Sequence, residues 1–165
     1  CRDYKTLEEF IPTKEQITDL LEAGRICPTA RNYQSQRIFV VTKQEDLKKI
    51  DKATQCRFNA PVVFIFGFDN TVAAQHDRWA GEKWDFGRDD LNSALVHMML
   101  KATDMGLATC WVGAFEEATI RQEFNLPSNI TIRALLDFGY ATKDKGQPGP
   151  MHTKREPLNQ TCKWL

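Results

Sequence analysis

The run Pro61-Val62-Val63-Phe64-Ile65-Phe66-Gly67 constrains the fold of this chain more than any other segment. It is far shorter than the roughly 20 residues that cross a bilayer, and it is bounded by proline and glycine as a buried strand is. Before it, Thr13 and Gln16 form a capping-box signature after Pro12, and Ile17, Leu20, Leu21 and Gly24 recur at helical spacing, which predicts a first helix up to Cys27 and Pro28. The polar, aperiodic stretch from Pro28 to Gln36 feeds a strand at Ile38-Phe39-Val40-Val41. A charged helix follows at 45–52. Beyond the buried strand, Asp89 or Asp90 is expected to cap a long helix whose Leu91, Ala94, Leu95, Met98, Ala102 and Met105 share a stripe and which Gly106 stops. A short strand at 109–113, a helix at 116–124 and a last strand at 130–140 complete the order. Helices and strands alternate, and that pattern by itself suggests a parallel, doubly wound sheet.

The bulk properties narrow the function. A chain of 165 residues with 42% interspersed apolar residues suits a single domain over 1–165. Twenty-two basic and twenty-two acidic residues cancel, so no overall field draws nucleic acid or an anionic membrane. Nothing at the start reads as a signal peptide. The five cysteines are scattered and never spaced C-x-x-C, which points to reduced thiols in the cytoplasm and no zinc site or disulfide framework. His76, His97 and His152 lack metal-ligand spacing, so no metal is expected. No G-x-G-x-x-G and no G-x-x-x-x-G-K-[ST] occurs, so a nucleotide-like cofactor has to be held by dispersed side chains. There is no G-x-S-x-G elbow, and Cys110 has no basic neighbour in sequence to activate it. Residues 69–88, with Trp79, Trp84 and Phe86, read as a lid or excursion. The link Gly146-Gln147-Pro148-Gly149-Pro150 releases a basic tail over 151–165.

Four segments resemble the nitroreductase family of flavoproteins. Cys1-Arg2-Asp3-Tyr4 is similar to the end of its R-x-S-x-R-x-[FY] motif, whose leading Arg and Ser would precede Cys1; the numbered chain is therefore expected to lack a short N-terminal piece. Pro28-Thr29-Ala30-Arg31-Asn32-Tyr33-Gln34 resembles the P-S-x-x-N-x-Q loop. Gly106-Leu107-Ala108-Thr109-Cys110-Trp111-Val112-Gly113 resembles G-L-G-[TS]-C-W-[IV]-G, and Lys154-Arg155-Glu156-Pro157-Leu158 resembles [KR]-R-K-P-L. The order and spacing of the four carry the assignment. The chain departs at Thr29 for Ser, at Ser35-Gln36 for Pro-Trp and at Ala108 for the second glycine. Thr29 keeps a hydroxyl; Ser35-Gln36 alters the packing and polarity beside the flavin.

The resemblance implies an α+β fold, with a mixed, mostly antiparallel central sheet flanked by helices and a C-terminal arm, 151–165, exchanged in a homodimer, and it overrides the doubly wound expectation. It implies FMN as cofactor, with NAD(P)H as donor and a small organic acceptor such as a nitroaromatic or quinone, reduced by a ping-pong mechanism. No side chain is then catalytic, because flavin N5 carries the chemistry and the protein supplies binding, orientation and charge. The cofactor-binding residues implied are Arg2, Pro28, Thr29, Ala30, Asn32, Val112, Gly113, Ala114, Lys154 and Arg155. Lys154 and Arg155 would meet the phosphate, Arg2 the negative charge that reduction puts near N1 and C2, and the backbone of Gly113 and Ala114 the region of N5. The alternatives are a flavin-binding redox sensor or electron carrier without turnover, a relative that dehalogenates aromatics or breaks down flavin, and an interaction protein that has lost flavin.

Overall fold

The computed structural model describes residues 1–76 and 84–165. Trp79 lies outside the described residues, as does the side chain of Trp84, so the lid expectation over 69–88 is touched only at its ends. In chain order the elements are α1 Lys14–Arg25, β1 Gln36–Val41, α2 Gln44–Ala53, β2 Val62–Asp69, β3 Gln75–His76, β4 Trp84–Asp85, α3 Gly87–Asp104, β5 Ala108–Val112, α4 Glu117–Glu123, β6 Ile130–Gly139 and α5 Leu158–Thr161.

The main sheet has the order β1-β2-β6-β5, and every pairing in it is antiparallel. The parallel, doubly wound arrangement is thereby overturned. Antiparallel neighbours require the chain to return to the end it left; α2 with the segment 54–61 makes that return, so that Val63 starts opposite Val41.

Apolar alternation builds two cores. Val62, Phe64, Phe66 and Phe68 face α1 and α3, where Leu20, Leu91, Leu95 and Met98 cover them. Val63 and Ile65 face the other way, onto Leu47 and Ile50 of α2 and Ile120 of α4. Each buried Leu, Ile or Phe contributes about 1.5–3 kcal/mol by leaving water, and β2 buries both faces because it lies inside the sheet. At α1 the capping box is present: the Gln16 N–H donates to Thr13 Oγ1 at 3.3 Å and the Thr13 N–H to Gln16 Oε1 at 2.9 Å. The long helix begins at Gly87, two to three residues before the expected caps, and the Gly87 N–H is received by Asp85 Oδ1 at 2.8 Å. Its apolar stripe is spent inside its own chain, against the sheet. Gly106 stops it with φ +72°, the left-handed conformation glycine adopts without strain.

The tail is exposed over 151–165 and carries the single helical turn α5. Among the described residues no helix is long and apolar enough to cross a membrane.

Candidate functional site

The segment carrying Arg2 is pinned along the far edge of the sheet. Tyr4 is buried, its N–H donates to the Phe58 carbonyl at 3.2 Å, the Lys5 N–H donates to the Tyr140 carbonyl at 2.8 Å, and the Thr142 hydroxyl donates to Asp3 Oδ2 at 2.8 Å. Arg2 is exposed between these ties. It lines a groove with Lys145, Gln147, Pro148, Met151 and His152, the root of the tail. Lys154 and Arg155 follow within three residues; the Arg155 guanidinium donates to the carbonyls of His152 and Lys154 and is otherwise exposed. Three of the cations singled out in the sequence therefore belong to one region, and Lys145 joins them unforeseen.

A second set lies where β5 ends. Val112 is 3% exposed, so its side chain belongs to the core. Gly113 and Ala114 are exposed, and a Cβ built on Gly113 meets nothing within 4 Å. No hydrogen bond occupies the N–H of either residue among the described residues. Thr54 fixes this corner: its hydroxyl donates to the Ala114 carbonyl at 2.6 Å and accepts from the Cys56 N–H at 3.1 Å, while the Glu116 N–H donates to the Ala53 carbonyl. Thr54, Gln55 and Ala114 line one depression. Thr54 carries no signal in the sequence, because its role depends on a partner sixty positions away.

The third set is the loop from Pro28. Arg31, Asn32 and Gln34 have φ of +55°, +57° and +52°; left-handed conformations cost non-glycine residues on the order of 1 kcal/mol or more each and collect at functional sites. Two contacts hold the loop in that shape. The Gln34 N–H donates to Thr29 Oγ1 at 3.1 Å, and the Ala30 N–H donates to Asp90 Oδ1 at 2.8 Å. Asp90, expected as a helix cap, is instead the brace of this loop from the first turn of α3. It is 5% exposed, and its Oδ2 has no hydrogen-bond partner among the described residues. Burial raises its pKa, the Ala30 N–H works against that, and Asp89 and Asp85 add to it.

The chain does not gather all three sets in one place. The loop is tied to the start of α3, whereas Arg2 stands beside Cys1, whose ammonium donates to the Thr109 carbonyl just past the end of α3. Fifteen or more helical residues between these ends correspond to roughly 20 Å. Loop and Arg2 are also on opposite margins of the sheet, beside β1 and β5.

Neither Cys27 nor Cys110 is poised as a nucleophile. Burial pushes the Cys110 thiol up, and Asp137 pushes it further; burial also raises Cys27, with Asp90 adding to it. Among the described residues no three His, Cys, Asp or Glu side chains are grouped to hold a metal.

The sequence profile of the Nitroreductase family matches residues 1–59 and 55–140, most of the chain. The chain belongs to the nitroreductase family. A nitroreductase family protein of known structure from Clostridium difficile 630 is 31% identical, with 99% of this chain and 91% of that one aligned at a TM-score of 0.87. A protein of Archaeoglobus fulgidus, named provisionally as an NADH dehydrogenase/NAD(P)H nitroreductase, is 27% identical over 139 residues, covering 79% of this chain and 75% of the relative. A provisionally named nitroreductase from Desulfovibrio desulfuricans, solved in complex with FMN, shares the fold at a TM-score of 0.80 with 20% identity, over 98% of this chain and 88% of that one. The nitroreductase fold is therefore the α+β architecture of this chain.

Proposed function

We propose that this chain is an FMN-dependent oxidoreductase that takes electrons from NAD(P)H and passes them to a small organic acceptor such as a nitroaromatic or a quinone. Family membership supports the reaction class, the Archaeoglobus relative is named for NAD(P)H, and the Desulfovibrio relative is described with FMN. The observation in this chain that carries the reading is the end of β5. None of the described residues requires a glycine at position 113, since a Cβ there meets nothing within 4 Å among them; a flat ring laid against that strand end does need one.

The residues present fit FMN. Arg2, Lys154 and Arg155 are exposed cations in one region, suited to a phosphate and to the charge of a reduced ring. Gly113 and Ala114 offer two unoccupied N–H donors. Asn32 offers a side-chain amide without a hydrogen-bond partner among the described residues, and Thr29 a hydroxyl whose oxygen accepts from Gln34 and whose proton is still available to donate. FMN, when bound, supplies hydride acceptance and release at its N5. The protein orients the ring, and Thr54 keeps the Ala114 peptide fixed while it does so. Because the loop from Pro28 and Arg2 lie at opposite ends of α3, we place the cofactor between two copies, each giving one end. The five cysteines are unpaired, in keeping with a reducing cytoplasm.

The test is direct. Apo-protein is titrated with FMN and with riboflavin, and the yellow complex is mixed anaerobically with NADH or NADPH. Loss of the flavin colour within seconds and parallel initial-rate plots against donor and acceptor are expected. A flavin that stays oxidised would make the chain a sensor or carrier, and a protein that takes up no FMN would end the flavin reading.

A further inference from the structure

The central strand β6 changes face at one residue. Ala134 pairs with Phe66 and Ile132 with Gly67, which leaves Arg133 without a partner on β2. Ala134, Leu136 and Phe138 lie in the core beneath α1 and α3, whereas Ile132 lies in the core beneath α2 and α4. One extra residue flips the strand, and a bulge of this kind re-aims a side chain. It occurs just beyond the end of β5, whose last pair is Val112 with Leu135, and Arg133 is exposed.

Arg133 lines a depression of about 390 Å³ with Phe68, Thr131, Asp85, Arg88 and Asp89. Arg88, in the first turn of α3, is exposed as well, and neither guanidinium has a hydrogen-bond or ion-pair partner among the described residues. The carboxylates of the depression are engaged: Asp85 accepts the Gly87 N–H, and Asp89 has an interaction of its own. Two arginines are thus left with unmet donors in a hollow. Asp90, two residues from Arg88, holds the loop from Pro28, so the hollow stands at the flavin-loop end of α3.

We propose that Arg88 and Arg133 form a subsite for an oxyanion carried by a substrate, either a phosphate of the nicotinamide donor or the carboxylate of an acidic acceptor. Planar guanidiniums receive both groups through paired N–H donors, and the hollow has the size of a small-molecule site. The FMN phosphate is left to Lys154 and Arg155, which follow the groove that Arg2 lines at the other end of α3. Phe68 gives the hollow an apolar wall for the rest of the substrate. The substrate role rests on the flavin reading; the binding of an oxyanion does not.

Calorimetric titration of the whole protein with inorganic pyrophosphate tests the binding. R88Q/R133Q should bind it about tenfold or more weakly, as loss of one or more charge-assisted hydrogen bonds implies, and R133K should fall between. Equal binding by parent and double variant, or none by the parent, overturns the proposal. Steady-state kinetics then identify the source. A rise in KM at constant kcat for NADPH or NADH, but not for phosphate-free N-benzyl dihydronicotinamide, assigns the donor. A rise for para-nitrobenzoate, but not for para-nitrobenzyl alcohol, assigns the acceptor. If charged and neutral partners change alike, or none changes, the substrate role is wrong. If the parent reduces nothing with any donor while the double variant still loses pyrophosphate, the flavin reading fails and the oxyanion subsite stands.

Discussion

Asp137 sits on β6 at 1% exposure, and neither of its carboxylate oxygens has a hydrogen-bond partner among the described residues. Burial pushes its pKa up to about 8, against the pull of Arg57 and with some help from Asp51. The folded state therefore keeps a proton that the unfolded chain gives up near its ordinary 3.8. Between these two values stability falls as pH rises, and above the upper one the loss is complete. Asp137→Asn removes the titration. The variant should melt higher than the parent at pH 8, by an amount on the order of a few kcal/mol, and should lose most of that advantage at pH 5. A gain equal at both pH values would show that the carboxyl is not held neutral by the fold. Arg155 is the opposite kind of residue, exposed and tied only to carbonyls of its own tail. Arg155→Ala should leave the melting temperature unchanged, weaken FMN by roughly 10- to 150-fold, and abolish the preference for FMN over riboflavin. Unchanged affinity and preference in the flavin titration would remove the tail from the phosphate site.

Gly87 begins α3 against β2: a Cβ there would stand 2.3 Å from the Phe68 ring. Alanine would gain up to about 1 kcal/mol in helix propensity, but it must displace a ring that is 3% exposed and packed in the core, which costs about 1–3 kcal/mol. Gly87→Ala should therefore lower stability in urea melts, and because Asp90 sits one turn on, it should also loosen the loop it braces and weaken FMN. Stability equal to the parent's would mean that the helix start can slide freely. Elements with a local cause were legible in the sequence: the capping box of α1, the apolar run of β2 and the glycine stop of α3. Those with a distant cause were not. In β6, Ile130, Ile132, Ala134, Leu136 and Phe138 alternate without a break, yet Ile132 faces the other core; both faces of the strand are buried, so a period of two says nothing about a bulge at Arg133. Alternating helices and strands likewise concealed the antiparallel sheet, because α2 and the segment after it double back. Of the candidate site, the four motifs were readable as a resemblance. Thr54, Lys145 and the brace by Asp90 were not, since each acts on residues far away in the chain.

Across the molecule, the loop from Pro28 and Arg2 stand at the two ends of α3, and among the described residues no hydrogen bond or ion pair joins them. The outer surface of the same helix carries Val96 at 43% and Leu100 at 66% exposure, one turn apart, and the tail carries Leu158 at 75% and Trp164 fully exposed. Apolar side chains left open on a central helix and on a detached arm are what a second copy would cover. Paired antiparallel along α3 about a two-fold axis, two chains would set the loop of one against Arg2 of the other, giving two equivalent sites. Replacing Val96 and Leu100 together with Asp puts two charges into that contact without touching the core, since neither side chain is buried in its own chain. The variant should keep its far-ultraviolet spectrum, shift from dimer to monomer in light scattering, and lose FMN in the same step, because each site would then have only one of its halves. A monomeric variant that still holds FMN as tightly as the parent would show that one chain completes the site alone.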